Sequence, residues 1–431
     1  MTPISHFANF NDSWRKISTG LWFICSIFEI DNKSENLTTR KMKVFRLLIL
    51  VLITAIAAMA THAEVTVGAA RTDVYLPLLQ GKRIGLLSNH TGLVGDRHTL
   101  DVMIENGLNV TTLFSPEHGF RGKADAGEHV SGSVDKKTGL PIMSLYGKRS
   151  HPTAEMMAQL DAVVVDLQDV GLRFYTYYIT MLNVIEVAAD NDVDIVIFDR
   201  PNPNGMYIDG PILDMTLKSG VGRLPIPVVH GMTLGELALM SIGEKWLNCR
   251  KEPQLTVVEC LGYTHNTRYE LPVAPSPNLP NMTAIYLYPS MCLFEGTIMS
   301  LGRGTDWPFT IYGHPSMKGC NFSFTPQSRQ GAKNPPLLGK KCYGRDIRNL
   351  NHEAIIANGI NLDYVIDAYR NSGMKVHKAK FFTTFFDKLI GDRRTRRMIE
   401  QGASAKEIKA QWAKDINHFR IQRKPYLIYS E

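Results

Sequence analysis

The chain has no C-x-x-C pair, no H-x-H or H-x-x-x-H spacing, no G-x-S-x-G and no G-x-x-x-x-G-K-[ST]. Each gap removes a class of protein. Without C-x-x-C a zinc ribbon is excluded. The 13 histidines never fall at paired-ligand spacing, so no metal site is expected. Without the nucleophile elbow a serine hydrolase is disfavoured. No G-x-G-x-x-G follows the first strand-like run, and Gly302-Arg303-Gly304 lacks the third glycine, so neither a dinucleotide nor any other cofactor is expected. Cysteine is scarce. Cys25 lies near the start, and Cys249, Cys260, Cys292, Cys320 and Cys342 are an odd set, not a disulfide framework. Most read as buried small apolar residues, with one bridge, Cys320 to Cys342, left open. One-signed charge is also thin. Residues 1–63 hold seven Lys/Arg and four Asp/Glu, which leaves +4 of the overall +7 on residues 64–431. That is too weak and dispersed for nucleic acid. No internal repeat at a fixed period is visible.

What remains is an ordinary globular balance over 431 residues, 44% apolar and 21% charged, enough for two or three domains and a large core. The first part reads differently. Arg40 to Arg46 is basic, Leu47 to Ala60 is almost wholly apolar, and Thr61-His62-Ala63 offers small residues at a cleavage site. This is the three-part form of a secretory signal peptide over residues 42–63. The apolar run is about 14 residues, short of the roughly 20 that a membrane span needs. Residues 1–41 then read as an over-extended start, or as a cytoplasmic tail if the signal is an uncleaved anchor. On either reading residues 64–431 are expected beyond the cytoplasmic membrane, periplasmic or in the cell envelope.

From Glu64 the pattern is strand, polar turn, helix, repeated. Apolar strands are read at 83–88, 110–112, 142–146, 162–167, 195–198 and 255–260. Helices are read at 97–105, 153–160, 177–189, 234–247 and 282–293, the last bent or ended by Pro289. Near-continuous apolar strands alternating with helices predict an α/β fold, a parallel sheet covered on both faces. The texture changes near residues 305–315, so a domain boundary is read there, with residues 64–308 before it and 309–431 after it. The basic, helical end from 391 to 423 reads as a solvated face.

In such sheets ligands bind at the carboxyl ends of the strands. Polar residues gather at those ends: Asn89-His90, Glu117-His118 with Arg121, Asp166 with Asp169, and Asp199-Arg200 with Asn202. They are expected to converge on one rim. Arg173, Tyr175 and Tyr177 follow the fourth strand, the tyrosines either as core or as walls for a sugar. Asn278 sits in the rigid turn Pro277-Asn-Leu-Pro280, and Glu295 and Arg303 come from a second Gly-punctuated set that would close the cleft from the other side. Glu117 is the first candidate acid or base, because enclosure on a turn raises a carboxyl pKa. Arg121 either neutralises an acidic substrate or pairs with Glu117, which would lower that pKa.

Six stretches taken in order resemble one bacterial family, the exo-β-N-acetylmuramidases of the NamZ type. They are Ser88-Asn-His-Thr-Gly92, Phe114-Ser-Pro-Glu-His-Gly-Phe-Arg-Gly122, Val165-Asp-Leu-Gln-Asp-Val-Gly-Leu-Arg-Phe-Tyr-Thr-Tyr177, Asp199-Arg-Pro-Asn-Pro203, Pro275-Ser-Pro-Asn-Leu-Pro280, and Phe294-Glu-Gly-Thr297 with Gly302-Arg-Gly-Thr305. The resemblance implies a Rossmann-like catalytic domain over residues 64–308, a smaller C-terminal α/β domain over 309–431, an active site in the cleft between them, and release of non-reducing terminal N-acetylmuramic acid from peptidoglycan fragments. It makes Glu117 the expected catalytic carboxylate. A second catalytic group is left open among Asp166, Asp169, Glu295 and the substrate's own acetamido oxygen. The lactyl carboxylate of muramic acid calls for a cation, with Arg173, Arg200 and Arg303 as candidates. A muropeptide-binding protein without catalysis, and a cell-wall amidase or esterase, are the rival readings.

Overall fold

Successive residues of the apolar runs split to opposite faces of one sheet, as a strand's two-residue period requires. Leu87, Phe114, Val163, Val165 and Ile197 join one core, and Leu86, Leu113, Val164 and Val196 join another on the far side. Both faces are therefore covered by helices, the condition for a parallel sheet. The computed structural model describes residues 64–117, 120, 133–147, 150–373 and 381–431. The stretch read as a signal peptide and everything before it lie outside the described residues. Among the described residues, no helix is long and apolar enough to cross a membrane.

The strands are β1 (Arg83–Ser88), β2 (Leu93–Val94), β3 (Arg97–His98), β4 (Asn109–Ser115), β5 (Ser133–Val134), β6 (Pro141–Ser144), β7 (Ala162–Asp166), β8 (Asp194–Phe198) and β9 (Leu255–Val258). The main sheet runs β5-β6-β4-β1-β7-β8-β9, with β5 antiparallel on the edge and the other six parallel. Counted along the chain, the parallel strands stand in the order 3-2-1-4-5-6, the doubly wound arrangement whose direction reverses between β1 and β7. Register puts the carboxyl ends level: Ser88 faces Asp166, and Ser115 faces Ser144.

The helices that frame the carboxyl edge are α1 (Thr99–Glu105), α2 (Tyr177–Asp190), α3 (Leu234–Gly243) and α4 (Met282–Met291). Helix α1 starts two residues later than its apolar pattern suggests, because Arg97-His98 pairs with Leu93-Val94 as a hairpin. His98 then caps the helix, its ring nitrogen accepting from the Leu100 amide. Thr233 and Glu236 form the capping box that their spacing predicts for α3. Helix α4 tolerates Pro289 in its last turn and relaxes into a 3-10 turn at Cys292–Gly296.

Beyond residue 310 a three-stranded antiparallel sheet forms from β10 (Ile311–His314), β12 (Cys342–Asp346) and β11 (Phe322–Phe324). Short helices follow, including α5 (Thr384–Ile390) and α6 (Ala413–Arg423). This smaller C-terminal part shares its core with the large sheet, since Phe381, Phe386 and Phe419 belong to the same apolar cluster as Leu87 and Val165. The chain end returns to the first half. The Tyr429 hydroxyl donates to Asp199 over 2.8 Å, and the Ile428 amide donates to Glu236 over 2.9 Å. Residues 64–431 accordingly form one compact unit. Cys320 and Cys342 are free thiols, so the bridge left open by the sequence is not made.

Candidate active site

The crevice where a doubly wound sheet usually takes its ligand lies between β1 and β7. Here it is filled by the protein. Asp166, fully buried at the end of β7, accepts from Arg200 Nε over 2.6 Å and from Nη2 over 3.0 Å. Arg200 also donates to the Leu93 carbonyl over 2.9 Å. Asn89 folds into a turn whose side-chain oxygen accepts from the Thr91 amide and hydroxyl. Gly92 packs so tightly that a Cβ there would lie 2.2 Å from Ser88 Oγ and 2.9 Å from Asp166 Oδ2. His90 contacts the Ala274 carbonyl through Nε2.

Asp199 is spent in the same way. It accepts from Thr233 Oγ1, the Gly235 amide and Tyr429. Burial pushes its pKa up to about 6. Asn202 braces its own loop through the Asn204 amide and the Met232 carbonyl. Arg173, fully buried, donates to four carbonyls: Pro211, Ile226, Leu389 and Ile390. Asp169 is buried behind the tyrosines, and burial raises its pKa to about 7. The structure thus places Asn89, His90, Asp166, Asp169, Arg173, Asp199, Arg200 and Asn202 in internal networks at the sheet's edge, and none of them lines the main cavity.

That cavity, about 560 Å³, opens one strand pair over, at the carboxyl ends of β4 and β6 and the amino end of α2. Glu117 enters it from the turn after β4, Tyr146 from just past β6, and Thr176 and Tyr177 from the start of α2. From the second half come Ser276, Asn278, Tyr288, Glu295, Arg303 and Phe385. So the structure brings together Glu117, Tyr175, Tyr177, Asn278, Glu295 and Arg303 of the residues singled out in the sequence. His118 and Arg121 lie outside the described residues.

Glu117 is half-buried and held on two sides. Thr176 Oγ1 donates to its Oε2 over 3.0 Å, and the Tyr146 phenol is hydrogen-bonded to it. Burial and the adjacent Glu117 carboxylate push the Tyr146 pKa well up, so that hydroxyl stays a donor at any working pH. Tyr175 and Tyr177 stand edge to face, their ring centroids 4.7 Å apart, and both hydroxyls donate to the Pro275 carbonyl. Both residues line the cavity with their hydroxyls tied to that carbonyl.

Glu295 and Arg303 line the same cavity from the second half of the chain. Arg303 Nη2 and Nε both donate to Glu295 Oε1, over 2.5 and 2.9 Å, and the guanidinium lies 5.0 Å above the Phe309 ring. Burial alone would lower the Arg303 pKa, but the Glu295 carboxylate outweighs it and the net shift is upward. Among the described residues, Glu295 Oε2 and Arg303 Nη1 carry no hydrogen bond, so each remains available to a ligand.

The sequence reading missed Tyr146, Thr176, Tyr288, Phe309 and Phe385. Tyr146 had a signal, since it ends an apolar run at the sheet's carboxyl side. Phe385 had none, because it approaches through the tertiary fold.

Two carboxyls, aromatic rings and tethered polar groups around a hollow of about 560 Å³ are the equipment of a glycosidase-type site. The chain belongs to the exo-β-N-acetylmuramidase NamZ family. Family models described as "Exo-beta-N-acetylmuramidase NamZ, N-terminal" and "C-terminal" match residues 84–283 and 286–429. The peptidoglycan β-N-acetylmuramidase NamZ of Bacillus subtilis (strain 168) is 38% identical over 383 residues, which cover 82% of this chain and 89% of that protein. A crystal structure of a DUF1343 family protein from Bacteroides fragilis NCTC 9343 superposes with a TM-score of 0.80 at 56% identity, covering 86% of this chain and 100% of the other. A second DUF1343 protein from the same strain gives a TM-score of 0.71 at 26% identity, over 85% and 99%.

Proposed function

We propose that this protein is an exo-acting glycoside hydrolase that releases non-reducing terminal N-acetylmuramic acid from peptidoglycan fragments. Family membership supports the reaction and the substrate class. The observation that carries the mechanism is the setting of Glu117, a cavity carboxyl fixed by Thr176 and Tyr146 in a hollow that a second carboxyl, Glu295, also lines. Glycoside cleavage needs one group to protonate the leaving oxygen and another to support attack at the anomeric carbon. Glu117 takes the first role. Glu295 takes the second, through Oε2, because Arg303 holds the carboxyl in place by its other oxygen. Asp166 has both oxygens committed to Arg200 and takes neither role.

Muramic acid carries a lactyl carboxylate that must be met by a cation. Of Arg173, Arg200 and Arg303, only Arg303 reaches the cavity. Its Nη1 is the donor for that group, and the rings of Tyr175 and Tyr177 supply apolar surface for the sugar.

Replacing Glu117 by Gln tests the reading on a muramic acid–glucosamine disaccharide without peptide. Turnover is expected to fall by roughly 10²–10⁴ with little change in KM. Unchanged release of free muramic acid would remove Glu117 from the mechanism. Failure of the unaltered protein to release any would overturn the glycosidase reading itself. Export is part of the same proposal, on the strength of the basic–apolar–small pattern from Arg40 to Ala63. Recovery of the protein only from the cytoplasmic fraction of its host would contradict it.

A further inference from the structure

The weak net charge of residues 64–431 is a difference between two halves of opposite sign. Residues 64–308 hold 19 Lys/Arg against 27 Asp/Glu, and residues 309–431 hold 22 against ten, so the halves carry −8 and +12. A split of this size bears on partners rather than on the fold. Half of the positive excess lies between residues 307 and 345, which contain Lys318, Arg329, Lys333, Lys340, Lys341 and Arg345 and no Asp or Glu. The acids that reach this stretch are already paired: Asp306 with Arg329, Asp346 with Arg348 and Asp367 with Arg345. Among the described residues, Lys318, Lys340 and Lys341 have no carboxylate partner.

The antiparallel sheet gives the lysines a platform. Its inner face, with Ile311, Phe324 and Cys342, closes a small apolar core. Cross-strand partners share a face, so His314, Ser323 and Tyr343 stand together on the other one. Lys341, two residues before Tyr343, falls on the same face, and its ammonium lies 5.5 Å from the Tyr343 ring centroid. Lys340 lies near His314, whose pKa is lowered first by burial and then by that ammonium. The imidazole is therefore neutral at pH 7, and the charge comes from the lysines. Tyr343 is 42% exposed, and both lysines are exposed. His314, Lys340, Lys341 and Tyr343 stand apart from the lining of the main cavity.

We propose that this face is a second, non-catalytic surface that holds a carboxylated glycan strand, the wall polymer from which the cavity's substrates come. Such a strand offers apolar ring faces to an aromatic side chain and carboxylates to cations. Tyr343 with Lys340 and Lys341 supplies both. A bilayer would instead call for a run of apolar side chains to bury at headgroup depth, and here a phenol ring stands among ammonium groups. Polymer held at this face keeps chain ends at high local concentration for the cavity. The choice of glycan rests on the glycosidase reading; the charged face does not.

The test pellets three proteins with insoluble peptidoglycan sacculi: the unaltered chain, Lys340→Glu with Lys341→Glu, and Tyr343→Ala. The unaltered protein is expected to pellet, and to be released as salt rises from about 0.05 M to about 0.5 M. The concentration for half-saturation should rise about tenfold in the double variant and about fivefold in Tyr343→Ala. Sacculi whose carboxyls are capped as amides should hold the unaltered protein no better than native sacculi hold the double variant. Turnover of a muramic acid–glucosamine disaccharide within about twofold in both variants shows that they are folded and that the face is separate from the cavity. No pelleting of the unaltered protein, equal pelleting of all three, or equal pelleting with native and capped sacculi would overturn the proposal. So would pelleting with phosphatidylglycerol vesicles in place of sacculi, or an equal loss of disaccharide turnover in the variants. An unaltered protein that pellets but turns over no disaccharide would sink the glycosidase reading and leave the surface standing.

Discussion

Thr176 stands at the amino end of helix α2, yet its hydroxyl goes to Glu117 Oε2, 3.0 Å away, and not to a helix amide. A residue type favoured as a cap has been spent on the site. Removing that hydroxyl should therefore touch activity more than stability. Thr176→Val keeps the shape and loses the donor. That bond orients the Glu117 carboxyl, and a positioned general acid contributes about 10²–10⁴-fold, so kcat is expected to fall roughly tenfold to a hundredfold. The thermal midpoint should stay within about 2 °C, and Thr176→Ser should restore most of the rate. A large fall in midpoint with an unaltered kcat would make Thr176 structural.

How far the sequence went can be seen by comparing Glu117 with Asp166. Both end an apolar strand, and both were candidates for chemistry. Strand pattern tells which residues reach the carboxyl edge, and the level register of Ser88, Asp166, Ser115 and Ser144 bears that out. It does not tell which stretch of the edge is open. That was decided by Arg200 from the end of β8, which fills the crevice beside β7 and leaves the hollow beside β4 and β6. A guanidinium beside an aspartate 34 residues away in the chain has no local signature. The parallel sheet itself was legible because runs such as Ala162–Asp166 are apolar on both faces. The shared core that merges the two halves was not, since Phe381, Phe386 and Phe419 meet the large sheet only through tertiary packing.

If Asp166 is structural, Asp166→Asn should lower stability and spare the chemistry. The pair is almost wholly sequestered, and Arg200 would keep its charge with only the Leu93 carbonyl and an amide to face. Removing one partner of a buried ion pair costs about 3–5 kcal/mol. The urea midpoint should shift accordingly, while kcat per folded molecule stays within about threefold. A loss of more than about a hundredfold in kcat with an unchanged midpoint would return Asp166 to the reaction.

Arg173 offers a sharper contrast between cations. Its two terminal nitrogens reach Pro211 and Ile226 on one side and Leu389 and Ile390 on the other, joining the first half of the chain to the end of α5. Burial lowers its pKa to about 10, which still leaves it charged at neutrality. Lysine cannot fan out to four carbonyls on two sides. Arg173→Lys is expected to cost at least about 3 kcal/mol in urea unfolding, because two or more buried acceptors lose their donor. Wild-type stability in that variant would mean that the four bonds contribute nothing net.

Asp169 makes stability depend on pH in a direction that can be worked out. Burial raises its folded pKa from 3.8 to about 7. The Gly171 amide binds Oδ1 over 2.6 Å, but Oδ2 is buried without a partner. The folded protein therefore holds this proton where the unfolded chain has released it. Its contribution is fully present below about pH 4 and is lost as the pH rises through about 7, then levels off. Asp199, raised by burial to about 6, acts in the same sense, whereas His230, lowered by burial to about 3, acts in the opposite one. The raw profile is thus a sum, and the difference between protein and variant isolates the one group. Asn in place of Asp169 keeps the acceptor for Gly171 and cannot ionise. The variant is expected to gain on the parent protein by a few kcal/mol between pH 5 and pH 8 in urea unfolding, an order-of-magnitude figure from the size of the shift. Parallel profiles for the two proteins across that range would show that Asp169 is already ionised in the fold.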